Sequence, residues 1–269
     1  MERILENQLV SNSENAVDLL SRVTGLSKTK VKDAMTKGAV WLETQGQIKR
    51  LRRASARLKQ GDKVSVYYST HVLESEAPLP RLISDEKQFS VWNKPSGLMS
   101  GGTRFGDHCA INRVVERKLD RPTFLVHRID RFVWGLMVLA HSKKAAAHLS
   151  HQFQARETKK VYKAIVKGLV EEPTTISEPI DGKEAISHIH PLATSIDQSL
   201  IQIQIETGRK HQIRKHLASA GHPIIGDRQY GHGDTQGIQL ASVFLGFTDL
   251  EGNEIEYSLP ENLHPALTI

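Results

Sequence analysis

The chain has 269 residues, with 36 Lys and Arg against 30 Asp and Glu, 13 His and one Cys. That length suits a small and a large domain, and 39% hydrophobic residues are enough for a packed core, which argues against disorder throughout. The lone Cys109 excludes an internal disulfide and a Cys-rich zinc site, no apolar run reaches the roughly 18 residues of a membrane span, and the polar start of the chain is unlike a signal peptide.

In chain order, residues 15–24 place Val17, Leu20 and Thr24 at helical spacing, and Gly25 is a natural stop. Ser27 is positioned to cap a second short helix with Val31, Ala34 and Met35 inside and Gly38 at its end. Lys28, Lys32 and Lys37 lie off that apolar stripe and are predicted to project to solvent. Strands over 39–42 and 63–68 follow, the second after a Gly61-Asp62 turn, making an α+β unit of about 70 residues, near the lower limit for an independent core. Between Arg22 and Lys63 stand twelve Lys and Arg against three acidic residues, so this segment carries +9 and leaves −3 for the rest of a +6 chain. A concentrated basic face of this kind suits polyphosphate, RNA or DNA. Leu26-Ser27-Lys28, Lys37-Gly38-Ala39-Val40 and the run from Leu58 to Val64 resemble a small RNA-binding module found in a small-subunit ribosomal protein and at the N-terminus of many RNA-modifying enzymes. The resemblance implies RNA contacts from Lys28, Lys30, Lys32 and Lys37. Pro78 and Pro80 mark a linker over 71–81, so the expected domains are 1–75 and 76–269.

Beyond the linker, strands and helices alternate. Strands are predicted over 89–92, 135–141, 161–166 and 199–205, the last with Ile201, Ile203 and Ile205 on one face and Gln202 and Gln204 on the other. Ser142 should cap a helix carrying Ala146, Leu149 and Phe153 on one side, and a helix is predicted over 211–220.

Three segments mix charge with apolar neighbours. In His127-Arg128-Ile129-Asp130-Arg131, arginines flank the carboxylate, and cations keep such a group ionised as a nucleophile or charge stabiliser; from this segment alone an ordinary ion-paired aspartate is the better reading. In the strand from Lys160 to Gly168, Tyr162 shares a face with Lys160 and Ala164, an arrangement that usually means packing. In the helix after Thr207-Gly208-Arg209, Ile213 and Leu217 face the core, while His211 and Arg214 share another face that could meet a site, solvent or RNA phosphate.

Together, in this order, the three segments closely resemble the motifs of RluA-type RNA pseudouridine synthases: a His-Arg-Leu-Asp-Arg box, a Lys-x-Tyr-x-Ala-x-Val-x-Gly strand and a Thr-Gly-Arg-x-His-Gln-Ile-Arg-x-His-Leu helix. The last continues through Gly226-Asp227 to Tyr230-Gly231, and Asn93-Lys94-Pro95-Ser96-Gly97 resembles the family's first strand and turn. The family box usually continues with small or polar residues where this chain has Phe132, Val133 and Trp134. The resemblance implies an α+β catalytic domain with a mixed, mostly antiparallel central sheet flanked by helices, and isomerisation of uridine in RNA without cofactor or metal. It further implies Asp130, Tyr162 and Arg214 as catalytic residues, with Arg128, Ile129, Ile213, His127, Arg209 and His211 binding substrate. The expected partner is RNA, large-subunit ribosomal RNA ahead of transfer RNA, for a cytoplasmic monomer without membrane association. Two competing readings are a non-catalytic RNA-binding or ribosome-assembly factor, supported only by Phe132–Trp134, and a metal-dependent hydrolase, suggested by His148 with His151 and His188 with His190 but lacking a His-Glu-x-x-His pattern.

Overall fold

A computed structural model describes residues 1–231, 233 and 237–267. The chain divides into two compact units, one of residues 1–77 and 101–114 and the other of residues 78–100 and 115–269.

In the first unit, β1 (Glu2–Leu9) is followed by α1 (Ala16–Thr24) and α2 (Lys28–Thr36). Strands β2 (Val40–Thr44), β3 (Gln47–Arg50) and β4 (Lys63–Ser69) complete a four-stranded antiparallel sheet in the order β1-β4-β2-β3. The local signals act as their chemistry requires. Asn15 accepts from the Val17 amide to cap α1, Gly25 closes it in the left-handed conformation, and Ser27 accepts from the Lys30 amide to cap α2. Val17, Leu20, Val31, Ala34 and Met35 all reach the buried cluster against Val40, Val64 and Val66. Lys37 departs from its predicted place in solvent: its ammonium pairs with Asp33 at 3.0 Å and donates to the Leu73 carbonyl at 2.7 Å. Arg50 and Arg52 also turn inward, onto the buried Asp107 carboxylate. Part of the positive charge counted in this segment is therefore spent on the unit's own structure.

The second unit is built on a ten-stranded sheet. Its strands are β5 (Arg81–Asp85), β6 (Phe89–Lys94), β7 (Trp134–Ala140), β8 (Lys159–Lys167), β9 (Thr174–Ile176), β10 (Ser187–Thr194), β11 (Gln198–Ile205), β12 (Leu240–Thr248) and β13 (Glu254–Ser258), with the short strand Phe124–Leu125 on β7. The order is β9-β10-β11-β8-β12-β7-β6-β5, with β13 beside β12, and only β7 and β12 run parallel. This is the mostly antiparallel α+β architecture expected. Helix α3 (Ile111–Leu119), whose first four residues belong to the first unit, precedes the short strand, α4 (Lys143–Ala155) follows β7 with Ser142 as its cap, and α5 (Gln212–Ser219) follows β11. Ile201, Ile203 and Ile205 are buried while Gln204 is exposed, as the period-two pattern requires. Gly135, at φ +110°, lets β7 close on β12, because a Cβ there would collide with the backbone of Ser242. That close approach places the turn before β7 near Tyr162, whose register partner on β12 is Ser242.

Candidate active site

A cavity of about 410 Å³ opens in the second unit beside the chain segment that leads into β7. His127, Arg128, Ile129 and Asp130 come from that segment, Tyr162 from β8, Arg209 and His211 from the loop just ahead of α5, and Ile213 and Arg214 from its first turn, and all nine line the cavity. Lys28, Lys30, Lys32 and Lys37 lie in the first unit and are not among its lining residues.

Asp130 does not take its cation from its sequence neighbours. Arg128 is exposed, and Arg131 sends its Nε to the Gly97 carbonyl at 3.0 Å. The partner is Arg214, whose guanidinium donates to Asp130 Oδ2 at 3.2 Å. Arg214 is itself held in a fork, with Nε and a terminal nitrogen donating to the two Asp227 oxygens at 2.8 and 2.9 Å. Asp227 is buried and also accepts from the amides of Gln229 and Tyr230. Burial acts to raise its pKa, but Arg214 and the two amides outweigh that and hold it below the usual carboxylate range. Arg214 responds in the opposite sense: burial opposes its charge, yet Asp227 and Asp130 raise its pKa. One fixed guanidinium thus aims at Asp130 from a rigid support.

His211, in the left-handed conformation ahead of α5, presents Nε2 3.8 Å from Asp130 Oδ1 and Nδ1 2.9 Å from the Tyr230 hydroxyl. Burial lowers its pKa, although Asp130 works against this. Tyr162 is buried, and its pKa is raised, first by that burial and then by the charge on Asp130, while Ser242 counteracts both. It stays a neutral phenol at ordinary pH. His127 stacks on Phe153 with centroids 4.3 Å apart and planes 7° from parallel, and its Nε2 accepts from the Val138 amide at 3.0 Å. Burial pushes it down to about 3, so it is a neutral wall whose proton sits on Nδ1.

The backbone that carries the helix residues is fixed by Gln212. Its Oε1 accepts from the Thr207 hydroxyl and the Arg209 amide at 2.7 and 3.0 Å, and its Nε2 donates to the Ile186 carbonyl and Ser187 Oγ. Buried Lys94 braces the segment that follows Asp130, donating to the carbonyls of Pro95, Leu98 and Arg131, and burial lowers it to about 7. Lys160, also lining the cavity, is lowered by burial to about 8. Asp227, Gln212, Lys94 and Lys160 were quoted within motifs but assigned no role by the sequence reading. Asp227 and Lys94 each carry a charge beside apolar neighbours, whereas Gln212 stands in a basic run that hides it.

Two of the four histidines behind the hydrolase reading serve other bonds. His148 meets the Thr248 carbonyl, and His188 bridges Thr175 and Glu206.

Residues 88–219 match the family model described as RNA pseudouridylate synthase. An uncharacterised RNA pseudouridine synthase of Aquifex aeolicus is 31% identical over 267 residues, covering 86% of this chain and 81% of that protein. A dual-specificity RNA pseudouridine synthase RluA of Vibrio vulnificus is 32% identical over 63% of this chain and 78% of its own. A ribosomal large subunit pseudouridine synthase D of Pseudomonas aeruginosa is 31% identical over 56% of this chain and 53% of its own. The solved structure of human RNA pseudouridylate synthase domain containing 1 shares the fold, with TM-score 0.59 and 21% identity over 71% of this chain and 87% of that one. The fold and sequence thus define an RNA pseudouridine synthase, an isomerase that converts uridine to pseudouridine. Within that class the chain belongs to the RluA-type family.

Proposed function

We propose that the chain isomerises uridine in large-subunit ribosomal RNA, with Asp130 as the group that engages the sugar. The observation that carries the catalytic part is the Asp130–Arg214–Asp227 arrangement at the cavity wall. The reaction breaks the bond from C1′ of the ribose to N1 of uracil, turns the base, joins C1′ to C5, and moves a proton from C5 to N1. Atoms and electrons balance within the nucleotide. As the first bond breaks, positive charge develops at the sugar, and a fixed carboxylate stabilises that charge or captures C1′. Arg214 occupies Oδ2 and leaves Oδ1 for that role.

Ile129 and Ile213 supply apolar walls, and Tyr162 meets the base as a neutral ring. For Tyr162 to take the C5 proton, its own proton must leave first. A paired uridine is out of reach, so the nucleotide is flipped or taken from a loop, and Arg128 fills the space it leaves. Lys28, Lys30 and Lys32 on α2 supply phosphate contacts that offset the cost of flipping. The ribosomal assignment is supported by the basic first unit and by likeness to relatives named for the large ribosomal subunit.

Mapping pseudouridines in ribosomal and transfer RNA from cells with and without the gene tests this reading. We expect loss at one or more positions of large-subunit RNA. Loss confined to transfer RNA replaces the substrate, and loss nowhere replaces it with a non-catalytic role in RNA binding.

A further inference from the structure

Of the chain's seven Phe, three Trp and five Tyr, Phe132 alone is exposed. It is 57% accessible and lies two residues after Asp130. The Val133 amide donates to the Asp130 carbonyl at 3.2 Å, so Arg131 and Phe132 are the corner residues of a tight turn. The two ends of that turn, Asp130 and Val133, both line the cavity, which places Phe132 at its rim.

Phe132 belongs to the stretch that departs from the family pattern, and its two neighbours have packing explanations. Val133 is 2% exposed in the cavity wall, and Trp134 donates its indole N–H to the Leu263 carbonyl at 2.8 Å. Phe132 has none, yet its turn is firmly held. Ser96 donates to the Phe132 carbonyl at 2.8 Å, and the Gly97 amide and Lys94 ammonium donate to the Arg131 carbonyl at 2.9 and 3.0 Å. The Arg131 guanidinium lies 5.3 Å from the centre of the phenyl ring. An open aromatic ring paired with a cation on a rigid turn has the makings of a nucleobase platform, since aromatic rings stack any base and guanidinium adds a favourable charge contact.

We propose that Phe132 stacks against the nucleotide flanking the target uridine and thereby helps select which uridine is isomerised. This rests on the function proposed above. Flipping a uridine leaves its neighbour with an uncovered face, and a ring at the cavity rim covers it. A larger base overlaps the ring better, so the site prefers a purine at that flank.

The test uses full-length protein and synthetic hairpins around a mapped target uridine, with purine or pyrimidine at each flank. Single-turnover rates are measured as a function of enzyme concentration. We expect F132A and F132L to weaken kcat/KM about tenfold, mainly through KM, with F132W restoring it. The purine preference of the wild type should vanish in F132A and F132L. The side chain is exposed, so melting temperatures should stay level; F132L supplies an apolar control should F132A be altered. With 2-aminopurine at the flank, wild type and F132W should quench its fluorescence on binding and F132L should not. Equal rates and flank preferences for wild type and F132L would overturn the platform while leaving the isomerase reading intact. Failure of the wild type to modify any hairpin would remove both.

Discussion

On α2 of the first unit Lys28, Lys30 and Lys32 stand open to solvent, whereas Lys94, Lys160, Arg214 and Asp227 of the second are largely enclosed. Open lysines keep their hydration and act through a field that salt screens. Enclosed charges lose hydration and must be matched by direct bonds, which fixes their geometry and shifts their proton affinities. Lys94 is lowered to about 7 and Lys160 to about 8 by burial. The same residue type is open to solvent in one unit and bonded into the structure in the other, and we propose attraction at long range for the first and positioning at short range for the second.

The sharpest way to break this contrast is D130N. Removing the anionic group should reduce pseudouridine formation on the order of a thousandfold or more, because residues acting as one catalytic unit fail together. RNA affinity should stay within a few-fold. A fully active variant would show that another group engages the sugar.

His127 probes the enclosed side by pH. Its folded pKa of about 3 lies below the ordinary value of 6.5, so the unfolded chain binds its proton first as pH falls. Its neutral form contributes fully above pH 6.5, and that contribution is lost progressively from 6.5 down to 3. Relative to wild type, H127Q should therefore lose about 3 kcal/mol less stability across this window, allowing for partial solvent contact of the ring. Urea unfolding at pH 7 and pH 4 measures the difference, and parallel losses in both proteins would place the ring in contact with water.

D227N tests whether Arg214 needs its fork. Asn keeps the shape but removes the charge, and a misaimed guanidinium should slow single turnover about a hundredfold with a smaller change in RNA affinity. The loss of one member of an enclosed pair should also cost about 3 kcal/mol. An unchanged rate would mean that Asp130 alone orients Arg214.

Much of this site is written in local sequence. Ser27, Ser142 and Gly25 announced helix ends, the alternation at Ile201–Ile205 announced a buried strand face, and the motif order brought Asp130, Tyr162 and Arg214 to notice. What escaped was set by distant partners. Of the two cation sources the sequence suggests for Asp130, its neighbouring arginines and Arg214, the structure pairs it with Arg214, 84 residues on. Arg50 and Arg52 counted as part of a basic face until Asp107, 55 residues beyond Arg52, claimed them. β1 carries few apolar residues and is mostly exposed, so only its pairing with β4 makes it a strand.

The smallest expected effect tests the open side of the comparison. Lys30 and Lys32 are exposed, and Lys28 has only an exposed partner, Asp18 at 2.6 Å, which costs little to exchange for phosphate. Each lysine on a phosphate releases counterions, so replacing all three with Gln should lower RNA affinity about tenfold near physiological salt and reduce the slope of log affinity against log salt by about 2. Lys37 is tied to Asp33 and the Leu73 carbonyl, so K37Q should change stability more than the salt slope. The maximal turnover rate should be unaffected by the triple substitution, since a screened field delivers RNA without shaping the cavity. A lower maximal rate at saturating RNA would mean that the open lysines also align the bound strand, and the division between attraction and positioning would no longer follow the two units.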